Sequence, residues 1–201
     1  ARDYAEAVRW FSMAAFEGYP VAQHNLGICY AGGNGLARDE AEAILWWTKA
    51  AEQGYAPSQY NLGVAYANGK GIGRNNTEAV RWYRKAAEQG DAAALYVLGR
   101  SCYKGDVLAG GQKDHAVSLK YLEQYVSLFR QPDGRIVVED DDMKSVMSDT
   151  LRMLQALYRF GRGTSVDVGK ANLLLEEAGR FGDPDAAAIS RVLRSAETFG
   201  N

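Results

Sequence analysis

His24 and His115 are the only imidazoles in the chain, and Cys29 and Cys102 the only thiols. A metal site or a Cys–His nucleophile pair would need such groups within ligand or hydrogen-bond reach of one another. Nothing in their spacing places them so, and they are expected as ordinary surface, groove or packing residues. Glu139, Asp140, Asp141 and Asp142 form an acidic run. It lacks the alternating ligands and central glycine of a calcium loop. It reads first as the start of a helix, where carboxylates cap free N–H groups and meet the positive end of the dipole. The second reading is a docking insert for a basic partner, with Arg135, Glu139, Asp140, Asp141 and Asp142 as its charged groups. The glycine-rich stretches do not read as phosphate cradles, because none is Gly-x-Gly-x-x-Gly after a strand and none is a P-loop. Asn75-Asn76-Thr77 matches a glycosylation sequon on a turn. No catalytic residue, metal ligand or cofactor site is expected.

The bulk composition narrows the classes further. The 201 residues are 47% hydrophobic and 24% charged, which is globular and not disordered. With 23 basic and 25 acidic residues the net charge is −2, so no chain-wide positive field exists to hold nucleic acid. No apolar run approaches the ~20 residues of a membrane-spanning helix, so no membrane insertion is expected.

The 22 glycines mark the architecture. Gly18, Gly54 and Gly90 recur every 36 residues, as do Gly27, Gly63 and Gly99, and Gly33, Gly69 and Gly105. Trp10, Trp46 and Trp82 keep the interval, with Ala14, Ala50 and Ala86 and with Leu26, Leu62 and Leu98. A fixed period of this size is a repeat array. The phase returns at Leu154, Tyr158, Gly161 and Gly163 after about 20 extra residues, most of them between Arg130 and Lys144. Each period holds two segments of helical spacing, near 55–68 and 77–89 in the second, with no competing strand alternation. Gly27, Gly63 and Gly99 fall inside helices, which predicts close helix–helix approach opposite a bulky Trp or Tyr. The expected fold is all-α, a right-handed α-solenoid superhelix of antiparallel helix pairs with about ten helices. As one solenoid domain it comprises an orphan helix at 3–18, repeats near 19–54, 55–90, 91–130 and 144–182, an insert at 131–143, and a final helix at 184–199. The chain opens in mid-repeat and is expected to be a fragment of a longer protein.

Residues 56–73, Ala-Pro-Ser-Gln-Tyr-Asn-Leu-Gly-Val-Ala-Tyr-Ala-Asn-Gly-Lys-Gly-Ile-Gly, and 78–90, Glu-Ala-Val-Arg-Trp-Tyr-Arg-Lys-Ala-Ala-Glu-Gln-Gly, resemble the Sel-like repeat, a relative of the tetratricopeptide repeat. The likeness covers about 3–105 closely and 145–190 more distantly. It departs at 106–143, and at Gln155, which stands where the earlier repeats have glycine. Some secreted bacterial members staple each helix pair with a disulfide. Cys29 and Cys102 do not follow that pattern, and this leans toward a reducing, cytoplasmic compartment.

The resemblance implies that the first helix of each pair lines a concave groove. Transferring the phase from the Leu-Gly pair puts His24, Tyr60, Tyr96 and Arg152 in one row, with Val21, Ile28, Ala31, Pro57, Val64, Ala67, Ala93, Arg100, Tyr103, Asp149, Ala156 and Arg159 on the same face. Tyrosine and arginine are common interface anchors. The partner-binding residues are therefore expected to be His24, Tyr60, Tyr96, Arg100, Tyr103 and Arg152. The implied function is a non-catalytic scaffold, monomeric, holding a protein or peptide partner and no nucleic acid. The alternative is a regulatory or substrate-recruiting module of a larger enzyme, because the region 106–182 is loosely similar to the Sel-like end of elongation-factor-two kinase.

Overall fold

The computed structural model describes residues 4–198, and the expected helix bounds at Asp3 and Phe199 lie outside them. The described residues form ten α-helices: α1 (Tyr4–Phe16), α2 (Pro20–Gly32), α3 (Glu40–Glu52), α4 (Ala56–Asn68), α5 (Asn76–Glu88), α6 (Ala92–Lys104), α7 (His115–Ser127), α8 (Asp141–Arg159), α9 (Val168–Arg180) and α10 (Pro184–Thr198). A single 3-10 turn lies at Val107–Ala109. The fold is an all-α solenoid of helix pairs. α2 packs on α3, α4 on α5 and α8 on α9. The chain divides into two compact units, Ala1–Ala94 and Leu95–Asn201, with the division inside α6.

The second helix of each pair starts at an Asp or Asn. Asp39, Asn75, Asp114 and Asp167 each accept a backbone N–H from their helix's first turn. Such a cap satisfies one of the orphan donors that every helix start leaves, worth about 1 kcal/mol. The first helices of the first unit start differently, with Tyr19 before Pro20 and Tyr55 two residues before Pro57, where a missing N–H costs little.

In the first unit, Ala15, Ala22, Leu26 and Trp46 form one core cluster, and Ile44, Ala51, Leu62, Ala65 and Trp82 the next. The two clusters are one pattern shifted by a period, because each pair buries its apolar side against the pair before it. The helix-interior glycines permit that contact. A Cβ on Gly27 would sit 2.5 Å from the Trp47 ring, and one on Gly63 would sit 2.6 Å from the Tyr83 ring. Buried Gln23 and Gln59 each anchor a polar rung. Gln53 donates to Gln23 at 2.7 Å, and Gln23 donates to the Ala15 carbonyl at 3.2 Å. One period on, Gln89 donates to Gln59 at 2.8 Å, and Gln59 to the Ala51 carbonyl at 3.1 Å.

In the second unit Leu95 stands at the position of Gln23 and Gln59, and Leu128, the α7 C-cap, at that of Gln53 and Gln89, so the amide pair is not repeated. The core there is built from Leu122, Met147, Leu151, Leu154 and Leu157, all buried. Gly99 meets Leu122, where a Cβ would come within 2.6 Å. The third repeat therefore keeps the close approach but exchanges the aromatic for leucine.

The insert is shorter than expected. α8 begins at Asp141, so it takes up residues assigned above to the insert. Asp140 is its N-cap, accepting from Met143 N at 2.9 Å, and Asp141 and Asp142 lie in its first turn. Ahead of it, the 131–139 segment turns back on itself through Arg130 and Ile136, which make an isolated antiparallel bridge.

Candidate functional site

The face inferred from the Leu-Gly phase is brought together most fully in the second unit. Tyr96, Arg100 and Tyr103 of α6 and Asp149, Arg152 and Ala156 of α8 line one cleft of about 330 Å³. α6 places its three residues on one side because 96, 100 and 103 lie at helical i, i+4, i+7 spacing. α8 does the same with 149, 152 and 156. Arg159, one turn further along α8, is exposed and outside the cleft.

The aromatic walls are fixed from behind. Tyr96 packs its ring 5.8 Å from Tyr125, and Tyr103 lies 6.1 Å from His115. Burial raises the Tyr96 phenol above its ordinary value, with Asp149 adding to the rise and Arg100 opposing it. The hydroxyl is therefore protonated at neutral pH and can donate. Arg152 is 46% exposed and pairs with Asp183 at 3.0 Å. The other Asp183 oxygen accepts from Ala186 N at the start of α10, at 2.8 Å. That carboxylate holds the guanidinium at the cleft edge.

Two members of the expected set lie in the first unit, and they are packing residues to different degrees. His24 is 9% exposed. Its Nδ1 shares a 2.9 Å hydrogen bond with the buried Ser58 hydroxyl, and the Tyr55 ring meets it edge-on at 5.2 Å. The ring faces the next repeat, so its polar edge is not offered to solvent. Tyr60 is half-buried against Tyr83, with centroids 5.7 Å apart. Val21 and Ile28 are the exposed residues of that face in the first repeat.

Of the docking-insert set, Asp140 is spent on capping, Asp141 pairs with Lys144 at 2.7 Å, and Arg135 pairs with Asp133 at 2.6 Å. Glu139 and Asp142 are exposed.

Sequence reasoning missed Lys104, Met153 and Gln155 in the cleft. Lys104 could have been found, since it lies one helical turn beyond Arg100. A second cluster was also missed. Lys170 donates to Glu123 at 2.9 Å and to the Tyr158 hydroxyl at 2.5 Å, and that hydroxyl bonds Glu123. Burial alone would raise Glu123, but the bonds from Tyr158 and Lys170 carry its carboxyl below the usual range. Burial opposes the charge on Lys170, and the same two partners outweigh it and raise its amine. Both groups are charged at neutral pH, so this is a tie between α7, α8 and α9 and not a nucleophile. Among the described residues, no group of three His, Cys, Asp or Glu could hold a metal ion. Cys29 is buried, and burial pushes its thiol up, away from the reactive thiolate.

His24 gives a pH prediction. Burial lowers its pKa below 6.5 in the folded chain. As pH falls through 6.5, the unfolded chain takes up a proton that the folded chain resists, so stability drops until the folded pKa is passed. Denaturation midpoints measured at about pH 7.5 and about pH 5.5 should show this drop, and His24→Gln should show a smaller one. Equal pH dependence in the two proteins would contradict the assignment.

The sequence matches the model of the Sel1 repeat at residues 1–19, 20–55, 56–91, 92–124 and 156–183, more than half of the chain. The unmatched stretch between the last two is where the insert and the extended α8 lie. One similar solved structure is c5321, a protective antigen present in uropathogenic Escherichia coli strains and displaying an SLR fold. It is 32% identical, with a TM-score of 0.73 over 92% of this chain and 35% of that one. Another is a Sel1 repeat protein from Oxalobacter formigenes, 32% identical, with a TM-score of 0.69 over 92% of this chain and 67% of that one. The chain thus spans about a third of the first relative. No curated protein matches the sequence.

Proposed function

The chain belongs to the Sel1 repeat family, and from that premise we propose that it is a non-catalytic scaffold whose α6–α8 cleft receives a segment of a protein partner. Sel1 repeat proteins are generally protein-interaction scaffolds and are typically not enzymes. The observation that carries the reading is the gathering of Tyr96, Arg100, Tyr103 and Arg152 along one cleft. These are residue types that anchor interfaces, on rigid helices, with the aromatic rings held by packing from behind. The Glu123–Tyr158–Lys170 cluster reads as a structural tie between helices, with its lysine charged and its carboxylate engaged. The binding form is proposed to be the monomer, and the net charge of −2 argues against a nucleic-acid ligand.

Affinity capture from the source cell, read by mass spectrometry, tests this. The double variant Tyr96→Ala with Arg100→Ala should lose a partner that the wild type retains, while Arg135→Ala with Glu139→Ala should keep it. Both leave the cap at Asp140 and the buried cores in place, so helical content should be unchanged. Retention by the first variant and loss by the second would move the binding element to the insert.

A further inference from the structure

Resting on that reading, we propose that the α6–α8 cleft selects an acidic peptide segment, with Arg100 and Lys104 receiving its carboxylates. The repeat frame supplies the argument. The position of Arg100 is held by Ile28 and Val64 in the first two repeats, and that of Lys104 by Gly32 and Asn68. Packing does not require a cation at either place, since two repeats build the same helix without one. Both side chains are exposed and line the cleft. Among the described residues neither has a carboxylate within ion-pair distance, whereas Arg152 across the cleft is already matched by Asp183. Arg100 and Lys104 are four residues apart on one helix, so their charges face each other and repel. An anion bound between them relieves that repulsion.

With Arg152 matched by Asp183, the cleft's own acid Asp149 is opposed by both Arg100 and Lys104, so the cleft keeps an excess of one positive charge in a chain that is net negative. A local field of this kind selects a short acidic stretch and gives nothing to a long polyanion, which needs a basic track. The walls add a second requirement. Tyr96, Tyr103 and Met153 line the same cleft, which suits an apolar or aromatic residue beside the acids.

The test uses the full chain labelled with 15N at arginine. The arginine Nε–Hε resonances are followed on titration with the capped peptide Glu-Asp-Tyr-Glu-Asp-Leu, and with its Gln/Asn counterpart. The acidic peptide should move the Arg100 resonance and the neutral one should not. Charge reversal at Arg100→Glu or Lys104→Glu should weaken binding about tenfold or more, and the same change at the exposed Arg84 should leave it unaltered. Raising salt from about 0.05 M to about 0.3 M should weaken it several-fold. If the neutral peptide binds equally well and Tyr96→Ala abolishes both, the preference for acid is wrong and the cleft reading stands. If the acidic peptide moves only arginines outside the cleft, the cleft reading itself fails. Equal displacement by inorganic phosphate or a short oligothymidylate at matched ionic strength would overturn the peptide assignment in favour of a phosphate ligand.

Discussion

Trp82→Ala should lower the unfolding free energy by about 3–5 kcal/mol, whereas Trp10→Ala should cost less than about 1 kcal/mol. The two tryptophans occupy the same phase of the repeat and differ in what covers them. Trp82 is 5% exposed and packs with Ile44, Ala51, Leu62 and Ala65 of the preceding helices. Trp10, on α1, is 63% exposed. Truncating the buried ring removes its transfer energy and leaves a cavity that rigid flanking helices cannot close. Trp46, at 6% exposure, should behave as Trp82 does. Urea unfolding of the three variants measures the contrast. Equal losses at Trp10 and Trp82 would mean that burial by the preceding pair is not what stabilises the array.

A comparable loss is expected at one turn glycine and not at another. Gly71→Ala should cost about 3 kcal/mol, and Gly54→Ala about 1 kcal/mol. Both glycines have positive φ, 69° and 90°, which an L side chain resists. A Cβ at Gly54 would meet open space, so only the backbone preference is lost. A Cβ at Gly71 would run into the backbone carbonyl of Glu40, at the start of α3. Gly35 and Gly163 stand in the same relation to Tyr4 and His115. The second glycine of the three Gly-x-Gly turns is thus where the loop of one repeat seats on the second helix of the repeat before it, whereas a Cβ at Gly110 or Gly111 in the stretched third turn would meet nothing. Thermal melts rank the variants, and a Gly71→Ala protein as stable as Gly54→Ala would remove that seat from the account.

The helix pairs were legible because one packing problem is solved again every period. The same small residues must recur at Ala50 and Ala86, the same glycine at Gly27 and Gly63, and the same cap at Asp39 and Asn75. What is singular in the chain was harder to read. The phase places His24 on the groove face, but a hydroxyl one repeat away at Ser58 draws its ring inward, and no local pattern announces that bond. The acidic run reads first as a helix start and second as a docking insert, and the Asp140 cap places it at the start of α8. Glu123, Tyr158 and Lys170 meet across the break in the period, where the frame cannot align them. The buried glutamines Gln23 and Gln59 look like surface residues by type, and their 36-residue recurrence was passed over. In the cleft, Tyr96, Arg100, Tyr103 and Arg152 were readable because their helices follow the frame, and Lys104 was missed beside the departure that begins at Asp106.

Site-specific photocrosslinking in the source cell tests the central claim most directly. A benzophenone side chain is placed at Gln155, inside the α6–α8 cleft, or at Leu173, which is exposed on α9 and outside that cleft. The account predicts a discrete crosslinked polypeptide from position 155 that disappears when Arg100→Glu is added, and none from position 173. A polypeptide joined at 173 and not at 155 would contradict it, and would assign partner binding to the α9 surface.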